Sequence, residues 1–228
     1  MSLRPPLLLA RRIAVLALAA GAAWSAEDLR SQQPIDGDAA AGAEKAAVCA
    51  GCHGPDGNAI APIFPTLAGQ SATYLYVQLR TFKDGSRTDP MMGPLSAQLS
   101  DQDMRDLAAH YAAVDRKPAT AAAPADDADR GRELYRSGDT SRGVPPCQAC
   151  HGAEGQGPPL ASDERRPGPP WHTFPNLAGL QAGYLVSQLQ AYKSGTRAGT
   201  SNAQIMHGVA ANLDEASIDA LAAYLSRL

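Results

Sequence analysis

Two copies of one five-residue pattern constrain this chain more than any other feature. Cys49-Ala50-Gly51-Cys52-His53 and Cys147-Gln148-Ala149-Cys150-His151 both read CxxCH, each is followed by Gly, and together they use every cysteine of the 228-residue sequence. A thioredoxin-like redox pair needs a surrounding βαβ pattern, and none is visible. A zinc site made of two CxxC pairs usually closes a short loop and gives the adjoining histidine no role. Structural disulfides ignore that histidine too. Cys-x-x-Cys-His is the attachment signature of a c-type haem. On a helical turn, residues i and i+3 project to one side, so both thiols can reach adjacent vinyl groups of one macrocycle as thioethers. The next residue is then placed as the proximal iron ligand. The expectation is two covalently attached haems, one on Cys49, Cys52 and His53, the other on Cys147, Cys150 and His151.

Setting the two motifs in register shows that the chain is a tandem repeat. "FPTLAGQ" at 64–70 matches "FPNLAGL" at 174–180, and "YLYVQLRTFKDGSR" at 74–87 matches "YLVSQLQAYKSGTR" at 184–197. "MMGPLSAQLSDQDMRDLAAHY" at 91–111 matches "IMHGVAANLDEASIDALAAYL" at 205–225. This is one module duplicated rather than a solenoid. The Ala-, Pro- and Asp-rich stretch 115–130 is expected to be a linker. The division expected is a leader at 1–25, a first domain at 26–114 and a second at 131–228.

Both modules are expected to be all-α. Ser71 can cap a helix running to Asp84, closed by Gly85. Ser100 and Asp103 resemble a capping box opening a second helix through Tyr111. Residues 183–194 and 215–227 repeat these two helices. Shorter helices over about 42–50 and 129–137 are expected to lead into each CxxCH. Aromatic residues are only 5% of the chain, a handicap for small cores that a buried macrocycle in each module would relieve. The copies differ between motif and Phe. His53 to Phe64 is 11 residues and His151 to Phe174 is 23, so the second copy carries a 12-residue insertion, rich in Pro and Gly, within 153–173.

Arg4, Arg11 and Arg12 precede an apolar run over 13–23 and a small-residue site around Ala23 and Ser25. That order is a cleaved secretory signal peptide, with the general route preferred to the twin-arginine one. The run is short for a membrane anchor, and the expected compartment is the periplasm. Removing 1–25 takes away three arginines and leaves 17 basic residues against 23 acidic, a net charge of −6. An acidic chain is a poor nucleic-acid ligand and a plausible partner for a basic protein surface.

An electron carrier needs a sixth iron ligand, and the repeat tests for it. Met92 lies seven residues before Leu99, and Met206 lies seven before Leu213. A methionine at both equivalent positions fits His/Met ligation, which raises the reduction potential. Met91 and Met104 are expected to be core filler, with Met91 also an alternative to Met92. His110, His172 and His207 have no counterpart histidines and are not expected on iron. The carbonyls of Pro65 and Pro175 are candidates to fix the orientation of the proximal histidines.

These motifs together (two CxxCH, "FPxLAG", "YLxxQL" and a Met ahead of the last helix) resemble the diheme cytochrome c4 family over nearly the whole mature chain, from about Gly42 to Leu228. The resemblance implies two class I cytochrome c domains about a pseudo-twofold axis, with His53/Met92 and His151/Met206 as ligands. It also implies a periplasmic carrier of single electrons, not an enzyme, associated with the membrane surface and feeding a terminal oxidase from a quinol or dehydrogenase donor. The rival readings are the haem subunit of a flavocytochrome-type dehydrogenase and a diheme peroxidase. The peroxidase needs an open iron, against which a methionine in both copies argues.

Overall fold

The computed structural model of the chain describes residues 26–119, 127–157 and 171–228. The stretch read as a signal peptide, the middle of the linker and most of the inserted loop lie outside the described residues. The first half contains α1 (Ala39–Lys45), α2 (Ala50–His53), α3 (Ala72–Asp84), α4 (Met92–Ala97) and α5 (Asp101–Ala113). The second repeats them as α6 (Ala128–Ser137), α7 (Gln148–His151), α8 (Ala182–Lys193), α9 (Ser201–Ala210) and α10 (Glu215–Leu225). Among the described residues the β content is two isolated bridges, Glu27–Thr200 and Asp139–Val144.

Local chemistry sets the boundaries of these helices. Ser71 accepts from the Tyr74 amide at the start of α3, and Gly85 ends it in the left-handed region at φ 79°. Ser100 and Asp103 form a reciprocal capping box on α5. Asp214 caps α10 by accepting from Ser217 N–H. Helix α6 starts within a residue of the expected 129–137, with Leu134 and Tyr135 facing a core. The helix expected over about 42–50 instead forms as α1 at Ala39–Lys45, followed by a short 3-10 turn at Ala46–Val48. In the second half the helix ends at Ser137, as expected, well before the motif. A turn over 138–146 intervenes, closed by Asp139 N–H donating to Val144 O at 2.8 Å and reversed at Gly138 and Gly143, with φ of 69° and 72°.

Each half packs its first helix across its last. α1 crosses α5 so closely that a Cβ on Gly42 would lie 2.1 Å from the Asp106 carbonyl oxygen, and α6 crosses α10 with Gly131 1.9 Å from that of Ala220. Glycine is what permits both crossings. Core residues fall on the inward stripes: Leu75, Tyr76, Met104 and Leu107 in the first half, Leu134, Tyr135, Ile218 and Leu221 in the second. Met104 is 3% exposed, the core role expected of it. His110 stacks at a tilt on Tyr111 at 4.9 Å.

The halves are joined by polar contacts at equivalent loops. The Gln70 side-chain amide pairs with the backbone of Asn176, donating to its carbonyl at 2.8 Å and accepting from its N–H at 2.7 Å. Arg116 donates to Ala68 O at 2.8 Å and to Ala178 O at 2.7 Å, matching positions of the two copies. Residues before α1 reach over to the other half. Glu27 N–H donates to Gly199 O at 2.9 Å and its carbonyl accepts from Ser201 N–H at 2.7 Å.

Candidate functional site

Each CxxCH folds as one short helical turn with its first cysteine at the N-cap. Gly54 and Gly152 end these turns at φ of 82° and 81°. A Cβ there would meet Asn58 O at 2.3 Å or Gly157 O at 2.2 Å, so the glycine after each histidine is required for the chain to leave the turn. Cys52 and Cys150 are exposed, Cys49 and Cys147 are half-buried, and no disulfide joins any of the four. Burial raises the Cys49 thiol and pushes that of Cys147 up to about 11. Such thiols stay protonated at neutral pH, the opposite of the depressed values of dithiol redox catalysts.

His53 and His151 are each 7% exposed. The Nδ1–H of His53 donates to the Pro65 carbonyl at 2.9 Å and that of His151 to the Pro175 carbonyl at 3.2 Å. Phe64 and Phe174 flank the two imidazoles, with ring centroids 6.2 and 6.5 Å away. Burial lowers the pKa of both rings, with the carbonyl bond opposing it. The neutral tautomer with a proton on Nδ1 leaves Nε2 as a lone-pair donor, the form in which imidazole binds iron.

One continuous cavity of about 600 Å³ is lined by all four cysteines, both proximal histidines, Met91, Met92 and Met206. Leu75, Leu79, Leu107, Leu185, Leu189 and Val209 contribute to its largely apolar wall. Met92 and Met206 are half-buried, whereas Met91 is 49% exposed, not the core filler expected, because it lies at the start of α4 facing outward past the cavity wall. The residues present therefore fit a haem in each half. Thiols lie at the lip, a fixed imidazole and a thioether lie in the wall, and apolar surface is otherwise without a packing partner. The spare histidines have other partners. His207 Nδ1 bonds Tyr192 O at 2.7 Å and His172 Nε2 bonds Gln32 O at 2.7 Å.

Sequence reasoning passed over a polar cluster on the cavity wall. Arg87 donates to Gln78 at 2.6 Å within its own half and to Gln188 at 2.8 Å in the other. Arg197 mirrors it, donating to Gln188 at 2.7 Å and across to Gln78 at 2.8 Å and Tyr74 at 3.0 Å. Burial disfavours the Tyr184 phenolate, but Arg87 and Arg197 beside it turn the net shift downward. Burial pushes Tyr192 up to about 12. A signal was available, since Tyr74/Tyr184, Gln78/Gln188 and Arg87/Arg197 recur at matching places of the repeat.

A two-domain helical protein with a c-haem attachment site in each domain is a diheme c-type cytochrome, and the comparisons with known proteins agree. The cytochrome c family model matches residues 39–113 and 128–228. Cytochrome c4 of Pseudomonas aeruginosa is 41% identical over 192 residues, 84% of this chain and 89% of that protein. A thiosulfate dehydrogenase electron acceptor from Stutzerimonas stutzeri is 36% identical over 190 residues, 82% of each chain. The crystal structure of reduced recombinant cytochrome c4 from Pseudomonas stutzeri aligns with a TM-score of 0.75 at 38% identity, covering 84% of this chain and 99% of that one. The chain belongs to the cytochrome c4 family. It is an electron-transfer protein carrying two covalent haems, held by Cys49/Cys52 and Cys147/Cys150, and not an enzyme.

Proposed function

We propose that the protein is an exported periplasmic carrier that takes single electrons from a dehydrogenase or quinol-linked donor and delivers them toward a terminal oxidase. In this reading His53 and Met92 would hold one haem and His151 and Met206 the other, each pair offering an imidazole nitrogen and a thioether sulfur. The observation that carries it is the duplicate geometry: in both halves a histidine locked by a proline carbonyl faces the same cavity as a half-buried methionine. Bound haem supplies one-electron ferrous/ferric chemistry. The protein's part is to hold the imidazole neutral and oriented, to keep a sulfur ligand in reach and to exclude water with apolar walls. Two protein donors per haem would leave little to rearrange as an electron is exchanged.

The resemblance to a thiosulfate dehydrogenase electron acceptor supports a second reading of the donor side, in which electrons come from a dehydrogenase of inorganic sulfur compounds. The deciding experiment is stopped-flow mixing of the oxidised holoprotein with thiosulfate dehydrogenase and thiosulfate, then of the reduced holoprotein with terminal-oxidase membranes. Fast reduction in the first mixing supports the sulfur-oxidising donor, and fast oxidation in the second supports the oxidase. Failure of both would reject this assignment of partners. A holoprotein exchanging electrons only when anchored to a flavin subunit would do the same.

A further inference from the structure

Arg87 and Arg197 both line the cavity that receives the haems, and Arg197 is 6% exposed. Among the described residues neither forms an ion pair with a carboxylate; their hydrogen-bond partners are glutamine and tyrosine side chains. Each guanidinium also lies over an aromatic ring, Phe82 at 4.4 Å for Arg87 and Tyr192 at 4.5 Å for Arg197. A cation taken out of water is costly unless an anion meets it. The group this cavity is built for brings anions of its own, because a haem carries two propionate carboxylates.

The cluster is also shared. Each arginine bonds a glutamine of its own half and the equivalent glutamine of the other, the reciprocal pattern of a twofold contact. We infer that Arg87 and Arg197 form a common counter-ion pair for the carboxylates of both haems, so that each guanidinium acts electrostatically on the two redox centres together. A positive charge near the iron disfavours the ferric state, which carries one more positive charge than the ferrous. Removing either arginine therefore lowers both potentials. The inference rests on the two haem sites and is independent of the electron partners and of the methionine ligands.

The test is spectroelectrochemical titration of the intact diheme holoprotein and of R197Q, R87Q, R197K and R87K, with each haem followed by its own paramagnetically shifted methyl resonances. Haem count per chain shows separately whether the sites are filled. In each glutamine variant both midpoint potentials fall, and the fall persists at high salt because the pair is shielded from solvent. In each lysine variant, which keeps the charge and loses the fork of hydrogen bonds, both potentials move back toward the original values. A fall confined to one haem overturns the sharing. Unchanged potentials, or a fall that lysine does not reverse, overturns the electrostatic role and leaves the cluster as interface packing. Should the glutamine variants fail to mature with two haems, potentials in the lysine variants that depart from the original as far as those of a charge-neutral neighbour variant, Q188A, would overturn it equally.

Discussion

At the scale of single residues, the two methionines are the clearest point of test. Met92 and Met206 share a register in the repeat and line the same cavity half-buried, while Met91, which also lines it, is 49% exposed. Replacing Met92 with Ala is expected to abolish the ferric iron–thioether absorption band of one haem and to lower that haem's potential alone, within the roughly 0.8 V span that axial ligands command. M206A does the same to the other haem. M91A leaves both bands in place; if it removes one instead, the ligand is Met91. The residues that sequence predicted most securely are those whose chemistry is local. CxxCH names its own cofactor, and Pro65 and Pro175 follow from the repeat. Arg87 and Arg197 were missed because an arginine near the end of an amphipathic helix is ordinarily a solvated residue, and only the meeting of the two halves buries it.

At the scale of elements, the crossings of α1 on α5 and of α6 on α10 hold each module closed around its haem. Their glycines have no room for a methyl group against a backbone carbonyl. G42A and G131A are each expected to cost about 1–3 kcal/mol, the usual range for overpacking, read as a lowered Tm of the holoprotein. The first crossing has a closer electrostatic tie than its counterpart, where Arg130 stands 3.8 Å from the Asp214 carboxylate. Asp106 accepts from Lys45 Nζ at 2.7 Å, from Asp38 N–H at 2.9 Å and from Gln102 at 2.8 Å. The Lys45 ammonium, then the Asp38 amide and Gln102, hold its carboxyl below the usual carboxylate range. A carboxylate with a depressed folded value contributes stability that is present above about pH 4 and lost as pH falls through the folded value. D106N keeps the acceptor for Asp38 and removes one of the two carboxylates facing Lys45, leaving Asp103 at 2.8 Å. Its thermal melt is therefore expected below the wild type at pH 7, with the gap closing as the pH falls below about 4. The long helices themselves were legible from caps and spacing. The turn over 138–146 was not, because it is fixed by glycine conformations and one bridge rather than by apolar periodicity.

At the scale of the whole molecule, part of the contact between the two domains runs through backbone carbonyls at the "LAG" turns, and one residue from the stretch between them gathers those carbonyls. Arg116 donates to Ala68 O and Ala178 O and reaches Asn176 O at 3.3 Å. Burial pushes its guanidinium down to about 10, and its Nη2 has no partner, so the site carries the desolvation cost of a cation in return for joining equivalent points of the two halves. Composition marked residues 115–130 as a tether, and composition says nothing about where one arginine within it docks. Arg116→Ala would leave the carbonyls of Ala68 and Ala178 short of a donor, at roughly 1–3 kcal/mol for each buried group unsatisfied, while touching neither core nor haem pocket. The expected result is specific to the interface. Scanning calorimetry of the wild-type holoprotein shows the two domains unfolding in one cooperative transition, and the variant shows two, with both haems and both iron–thioether bands intact before melting. A variant that still melts in a single step at the wild-type temperature would show that the Gln70–Asn176 pairing, the strap from Glu27 to Gly199 and the shared arginine–glutamine cluster suffice to couple the domains without it.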